Sequence, residues 1–314
     1  MMQGIRVANA PCSWGDLGVQ GLEGESIGYQ QMLDELVETG YAGTDLGDWG
    51  YMPTDPDQLT TALERRNLTI ISGYVPVAVN NPESHQQAEA QALKIARLLS
   101  AVADSSNSQK IRPFMVVMDQ IGAVPVRTQN AGRVEPSMEL SDEEWRKCIQ
   151  GAERIARAIR DETGMRTTFH HHCASYLETP KEITRFLEQT DPNLIGLTLD
   201  TGHYAYGAAT DDGQCVIDAF ERFGDRIWHV HFKDCDFELA QASRQQGWDY
   251  FEVVRRGLFC ELGKGGVDFP GVVSWLREHN YDGWIVVEQD VLPGMGTPKQ
   301  SAQRNREYLK QLGL

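Results

Sequence analysis

Few cations, no paired cysteines and no long apolar run mark this chain of 314 residues. Lysine and arginine total 29 against 45 aspartates and glutamates, a formal net charge of −16. Binding to a polyanion draws most of its affinity from cationic contacts with phosphates. That balance argues against nucleic acid or an anionic membrane surface as a partner and favours a small neutral substrate, or one neutralised by a cation. No apolar stretch approaches the roughly 20 residues of a membrane span. The opening "MMQGIRVANAP" lacks the apolar segment of a secretory leader. Cys12, Cys148, Cys173, Cys215, Cys235 and Cys260 are scattered with no CxxC pair. That spacing speaks against a zinc ribbon or a disulfide framework and fits a reducing cytoplasm. No GxGxxG follows the first β-rich run, which disfavours a dinucleotide-binding doubly wound sheet.

What is present is a repeating alternation. The 41% apolar content suffices for a large core. Strands are expected at 5–11, 41–47, 68–75, 112–120, 166–172, 193–200, 226–232 and 283–289, each followed by a helix-length segment. Four helix starts share one chemistry: "DPDQ" (55–58), "SDEE" (141–144), "TPKE" (179–182) and "TPKQ" (297–300). Each sets a side-chain acceptor at the N-cap with Glu or Gln three residues on, and three have Pro where its missing N–H costs nothing. Eight βα units predict an α/β fold, a single (β/α)8 TIM barrel forming one domain over 1–314. The stretch 234–267, between strand seven and its helix, reads as an irregular insertion with aromatic anchors, placed over the catalytic face.

In such a barrel the C-terminal ends of the strands line the site, and residues two apart on a strand share a face. In "IWHVHF", Trp228, Val230 and Phe232 face the helices while His229 and His231 point inward. The run "FHHHC" places His170 and His172 together and His171 opposite, so at most two of the three reach one site. "LTLDTGH" ends strand six with Asp200 and returns His203 over the mouth, and Glu288 closes strand eight after bulky apolar residues. Mixed imidazole and carboxylate donors suit Zn²⁺, Mn²⁺, Co²⁺ or Fe²⁺ better than Ca²⁺ or Mg²⁺. Lys233 shares the parity of His231 and is placed to reach substrate oxygens. Trp14, in "NAPCSWG", is read either as the floor of a sugar pocket or as a core aromatic. Cys12 and Cys173 read as small buried residues, His85 as a surface histidine, and "GKGGVDF" as a turn before a helix capped by Asp268.

"HHHCASYLETP", "LDTGH", "HVHFKD", "LGKGGVDF" and "YDGWIVVEQD", in this order, resemble the xylose-isomerase-like barrel superfamily, and within it the inosose (2-keto-myo-inositol) dehydratase group. The superfamily holds a divalent ion with Glu, Asp, His and Glu from strands five to eight. The resemblance carries Asp200, His231 and Glu288 onto the last three and places His170 where the first Glu is expected. It implies a metal site of His170, Asp200, His231 and Glu288 holding Mn²⁺, Co²⁺ or Zn²⁺. Acid–base work falls to His172, His203 and Glu288, and substrate contacts to Trp14, His229 and Lys233. The implied activity is a metal-dependent hydro-lyase of a keto-polyol acting through an enediolate. A sugar isomerase or epimerase is the alternative, made less fitting by the lost carboxylate at His170. A DNA-repair endonuclease on the same barrel would need a basic groove that this acidic chain does not offer. A non-catalytic sugar-binding barrel is distinguished by binding without turnover. Barrels of this kind often pair, so a homo-oligomer is expected.

Overall fold

Alternation of short β-branched runs with capped amphipathic segments builds, in a computed structural model describing residues 4–15, 27–105 and 112–314, a closed ring of eight strands. In chain order the elements are β1 (Arg6–Asn9), α1 (Tyr29–Thr39), β2 (Gly43–Asp45), α2 (Pro56–Glu64), β3 (Thr69–Val77), α3 (Pro82–Ser105), β4 (Phe114–Asp119), α4 (Pro125–Gln129) and α5 (Asp142–Thr163). There follow β5 (Arg166–His170), α6 (Pro180–Gln189), β6 (Ile195–Asp200), α7 (Thr201–Gly207), α8 (Gln214–Phe223), β7 (Ile227–Phe232), α9 (Phe237–Gln246), α10 (Tyr250–Arg255), α11 (Phe269–Glu278), β8 (Trp284–Val287) and α12 (Pro298–Gln311). Each strand pairs in parallel with the next, and β1 closes on β8 through Arg6–Trp284 to Asn9–Val287. This is the expected (β/α)8 barrel.

The helix starts follow their sequence chemistry. Ser141, Thr179 and Thr297 each form a reciprocal capping box, and Asp55 accepts from the Gln58 N–H. Asp268 caps α11. Outward-facing residues such as Phe169, Val230, Ile285 and Val287 join the helix faces in the main core, while Ala8, Ala10, Trp284 and Val286 pack inside the ring. At Gly196 of β6 a Cβ would stand 2.1 Å from the Trp228 ring: the register shift between β6 and β7 at Leu197–Thr198 turns that indole, expected to face the helices, to the inner face beside Arg166.

Helices α4, α7, α9 and α10 are extra to the eight βα repeats and belong to connections leaving the C-terminal strand ends, where barrel sites form. The β7–α11 stretch, expected to be irregular, therefore carries two helices. Its Gly-rich end is a tied turn: the Asp234 carboxylate accepts from the N–H groups of Cys235, Gly263, Gly265 and Val267. Those donors are occupied by the chain's own anion. His85 departs from expectation, being buried beneath α5, where the missing side chain of Gly151 leaves a slot for its ring. Its Nε2 lies 3.2 Å from the Val79 carbonyl oxygen. All six cysteines are free thiols, and no helix among the described residues is long and apolar enough to cross a membrane.

Candidate active site

The ends of four consecutive strands bring four side chains to one level. His170 and Asp200 terminate β5 and β6, His231 stands one residue before the end of β7, and Glu288 follows β8. Asp200 pairs in register with His231, and His231 with Val286, so the inward-facing parity read from sequence lifts all four to the mouth. One donor atom from each lies within 4.8 Å of all the others. His231 Nδ1 is 3.1 Å from Glu288 Oε1, and His170 Nε2 is 3.8 Å from Asp200 Oδ2, the latter beyond hydrogen-bond range. Both ring nitrogens of His170, Nε2 of His231 and Oδ2 of Asp200 are buried without a hydrogen-bond partner. Buried polar atoms are normally satisfied, and a shared divalent cation would satisfy one nitrogen of each imidazole together with Asp200 Oδ2. Two imidazoles and two carboxylates form a donor set that fits such an ion.

Charge in the mouth is balanced by opposed pairs. Burial pushes the Glu288 carboxyl up, but the charge and hydrogen bond of His231, with Lys233, outweigh it and leave the group well below its ordinary range. Burial also raises Asp200, and His170 and Lys233 more than offset this. Lys233 is buried, which disfavours its charge, yet Asp290 and Glu288 hold it cationic. Its Nζ stands 3.2 Å from Asp290 Oδ1 and 3.7 Å from Glu288 Oε2, and 5.0 Å above the Phe259 ring.

Beside the quartet lies a second imidazole pair. Asp200 Oδ1 accepts the His203 N–H at 2.8 Å, capping α7, and so folds His203 back over the strand ends. The rings of His203 and His172 are 3.6 Å apart, centre to centre. Burial depresses both, His172 to about 3 and His203 well below the usual histidine value, so both are neutral. His172 Nδ1 is 2.6 Å from the Cys173 carbonyl, which can only accept; the proton therefore sits on Nδ1 and the Nε2 lone pair is open. The β7–α11 stretch roofs this pair, with Tyr250 against His172 and Phe259 against His203. His171 lies on the opposite face, where its Nε2 accepts the Asp200 N–H at 3.2 Å and its ring meets Tyr204.

Of its two readings Trp14 takes the core one, and two other residues sit elsewhere than expected. Trp14 is buried in the outer core, its Nε1 donating to Glu35 at 2.7 Å, so its ring does not floor the mouth. His229 is one inward position deeper than His231, between it and Phe114, and is sealed from solvent. Cys12, expected buried, is exposed, whereas Cys173 is buried as expected. Two site carboxylates were not singled out from sequence, Asp45 and Asp290. The parity rule that found Asp200 also finds Asp45 at the end of β2.

Comparison with known proteins agrees with this architecture. The model of the family described as xylose isomerase-like TIM barrel matches residues 33–312. The inosose dehydratase of Geobacillus kaustophilus (strain HTA426) is 30% identical over 308 residues, covering 98% of this chain and 94% of that one. Among solved structures, the IOLI protein with a bound zinc atom superposes with a TM-score of 0.69 at 13% identity, covering 98% of each chain. A probable 3-DHS dehydratase from Bacillus anthracis superposes at 0.67 with 14% identity, covering 98% of this chain and 99% of that one. These two show the shared fold. With a barrel closed on itself, polar strand ends gathered at one mouth and a full-length match to dehydratases, the chain belongs to the xylose isomerase-like TIM barrel family as an inosose dehydratase-like lyase.

Proposed function

We propose that this chain is a divalent-metal-dependent dehydratase of 2-keto-myo-inositol, with His170, Asp200, His231 and Glu288 holding Mn²⁺, Co²⁺ or Zn²⁺. The observation that carries the reading is the convergence of four donor atoms within 4.8 Å, several of them buried and unpartnered, in a chain whose relatives are inosose dehydratases. When bound, the ion would act as a Lewis acid toward a ketone and its neighbouring hydroxyl.

The chain supplies the proton transfers. His172, with its proton fixed on Nδ1 by the Cys173 carbonyl, offers Nε2 as the base for the hydrogen α to the ketone. Breaking that C–H bond moves its electron pair into the C=C bond of an enediolate. That pair then expels the β-hydroxyl, which leaves as water with the proton that His172 has taken from carbon, relayed through the adjoining His203 ring, and the enol formed rearranges to a dione. The Lys233 ammonium, buried and held cationic, stabilises the negative charge that develops between the two steps. Tyr250 and Phe259 cover the histidine pair and keep bulk water from it. Isomerisation and epimerisation share the first step; the His172–His203 pair, which can carry the abstracted proton from carbon to the leaving hydroxyl, favours elimination.

The test is turnover of 2-keto-myo-inositol by EDTA-stripped protein, followed by the ultraviolet absorbance of the dione, with Mn²⁺, Co²⁺ or Zn²⁺ restored. Product that depends on the ion is expected. Stoichiometric metal binding without product under any of the three ions would refute the substrate and direct attention to ketose isomerisation.

A further inference from the structure

Asp45 ends β2 and faces the barrel interior, where His231, Glu288 and His170 are the quartet members that act on it electrostatically. Its side chain is more than nine-tenths buried. Ser72 Oγ donates to Oδ1 at 2.5 Å, and among the described residues no other hydrogen bond and no cation at ion-pair distance meets the carboxylate. A buried carboxylate with a single neutral donor is poorly compensated, because such groups are normally paired or coordinated. Lys233, the cation of the mouth, is already engaged by Asp290 and Glu288. Burial raises the Asp45 carboxyl, and charged or neutral it retains the capacity to bond a hydroxyl.

We infer that Asp45 is a substrate-binding residue, its carboxyl bonding a ring hydroxyl of the polyol on the side of the barrel opposite the β5–β6 ligands. This rests on the dehydratase reading above. It makes β2 a determinant of specificity: a keto-polyol with a hydroxyl in reach of Asp45 is selected over one lacking it.

The experiment compares wild type, Asp45→Ala and Asp45→Asn in the Mn²⁺-loaded enzyme, with Mn²⁺ binding measured separately. A hydrogen bond to a carboxylate predicts a KM for 2-keto-myo-inositol raised roughly 10- to 150-fold in Asp45→Ala. The kcat should stay within about threefold and Mn²⁺ affinity should not change, while Asp45→Asn, which keeps one acceptor, should recover part of the loss. An unchanged KM, or a fall in Mn²⁺ affinity, would overturn the assignment. A fall in kcat alone would also overturn it, placing Asp45 in the chemical step. Should wild type fail to turn over this substrate, the dehydratase reading fails on its own, and calorimetry with myo-inositol decides Asp45. Binding weakened at least tenfold in Asp45→Ala supports it; equal binding, or none by wild type, sinks it.

Discussion

Replacing Arg127 by Met tests how this barrel tolerates charge in its interior. Arg127 on α4 and Glu182 in the first turn of α6 form a two-pronged pair at 2.7 and 2.9 Å, with both side chains fully buried. Among the described residues the substitution removes the one donor to Glu182 Oε1, while Oε2 keeps the Thr179 N–H and hydroxyl and the Glu178 N–H. Stripping one partner from a buried pair leaves an uncompensated charge and costs about 3–5 kcal/mol. An unfolding entropy of about 2.1 cal/mol/K per residue over 314 residues gives ~0.66 kcal/mol/K. The expected fall in Tm is therefore roughly 5–8 °C. Urea denaturation followed by circular dichroism at pH 7 would measure the loss directly. The double variant Arg127→Met/Glu182→Gln removes both charges and should regain at least half of it. A single-variant loss below about 1 kcal/mol, or a double variant at the sum of the two singles, would refute the reasoning.

Two further outcomes follow from buried groups. Asp119 is raised to about 6 by burial, against the opposing pull of the Tyr176, Val79 and Gln120 N–H groups. Its folded-state value exceeds the unfolded one, so the fold binds the extra proton; the stability this contributes is complete below about pH 4 and lost as pH rises through 6. Wild type should lose about 2 kcal/mol relative to Asp119→Asn between pH 4 and 7 in urea titrations, and a pH-independent difference would dismiss the effect. Gly196→Ala drives a methyl into the Trp228 ring and should cost about 1–3 kcal/mol in the same assay; a neutral result would mean that β6 yields.

Much of this was legible because the relevant signals are local. Strand parity placed His170, Asp200, His231 and Glu288 on the inner face, and Ser/Thr-x-x-Glu/Gln spacing marked where α5, α6 and α12 begin. The misses are tertiary. His85 is buried only because Gly151, far along the chain, offers it a slot. Trp14 finds its partner in Glu35 on α1, a contact invisible to a strand pattern. Asp45 obeys the same parity, but its three-residue strand offers no second polar residue on that face to draw notice to it. The Arg127–Glu182 pair spans two connections, and nothing in either segment announces that both charges leave water together.

The Asp234 clamp has an evolutionary consequence. By collecting N–H groups from Gly263, Gly265 and Val267, one carboxylate just past the C-terminal end of β7 fastens the far end of the excursion carrying α9 and α10. What lies between is a cassette with fixed sockets. Doubling the length of such a loop costs only about 0.6 kcal/mol in closure entropy. The roof over the histidine pair can therefore be lengthened, shortened or exchanged while the strand register beneath stays as it is. New substrates could then be reached by recutting the canopy rather than the barrel.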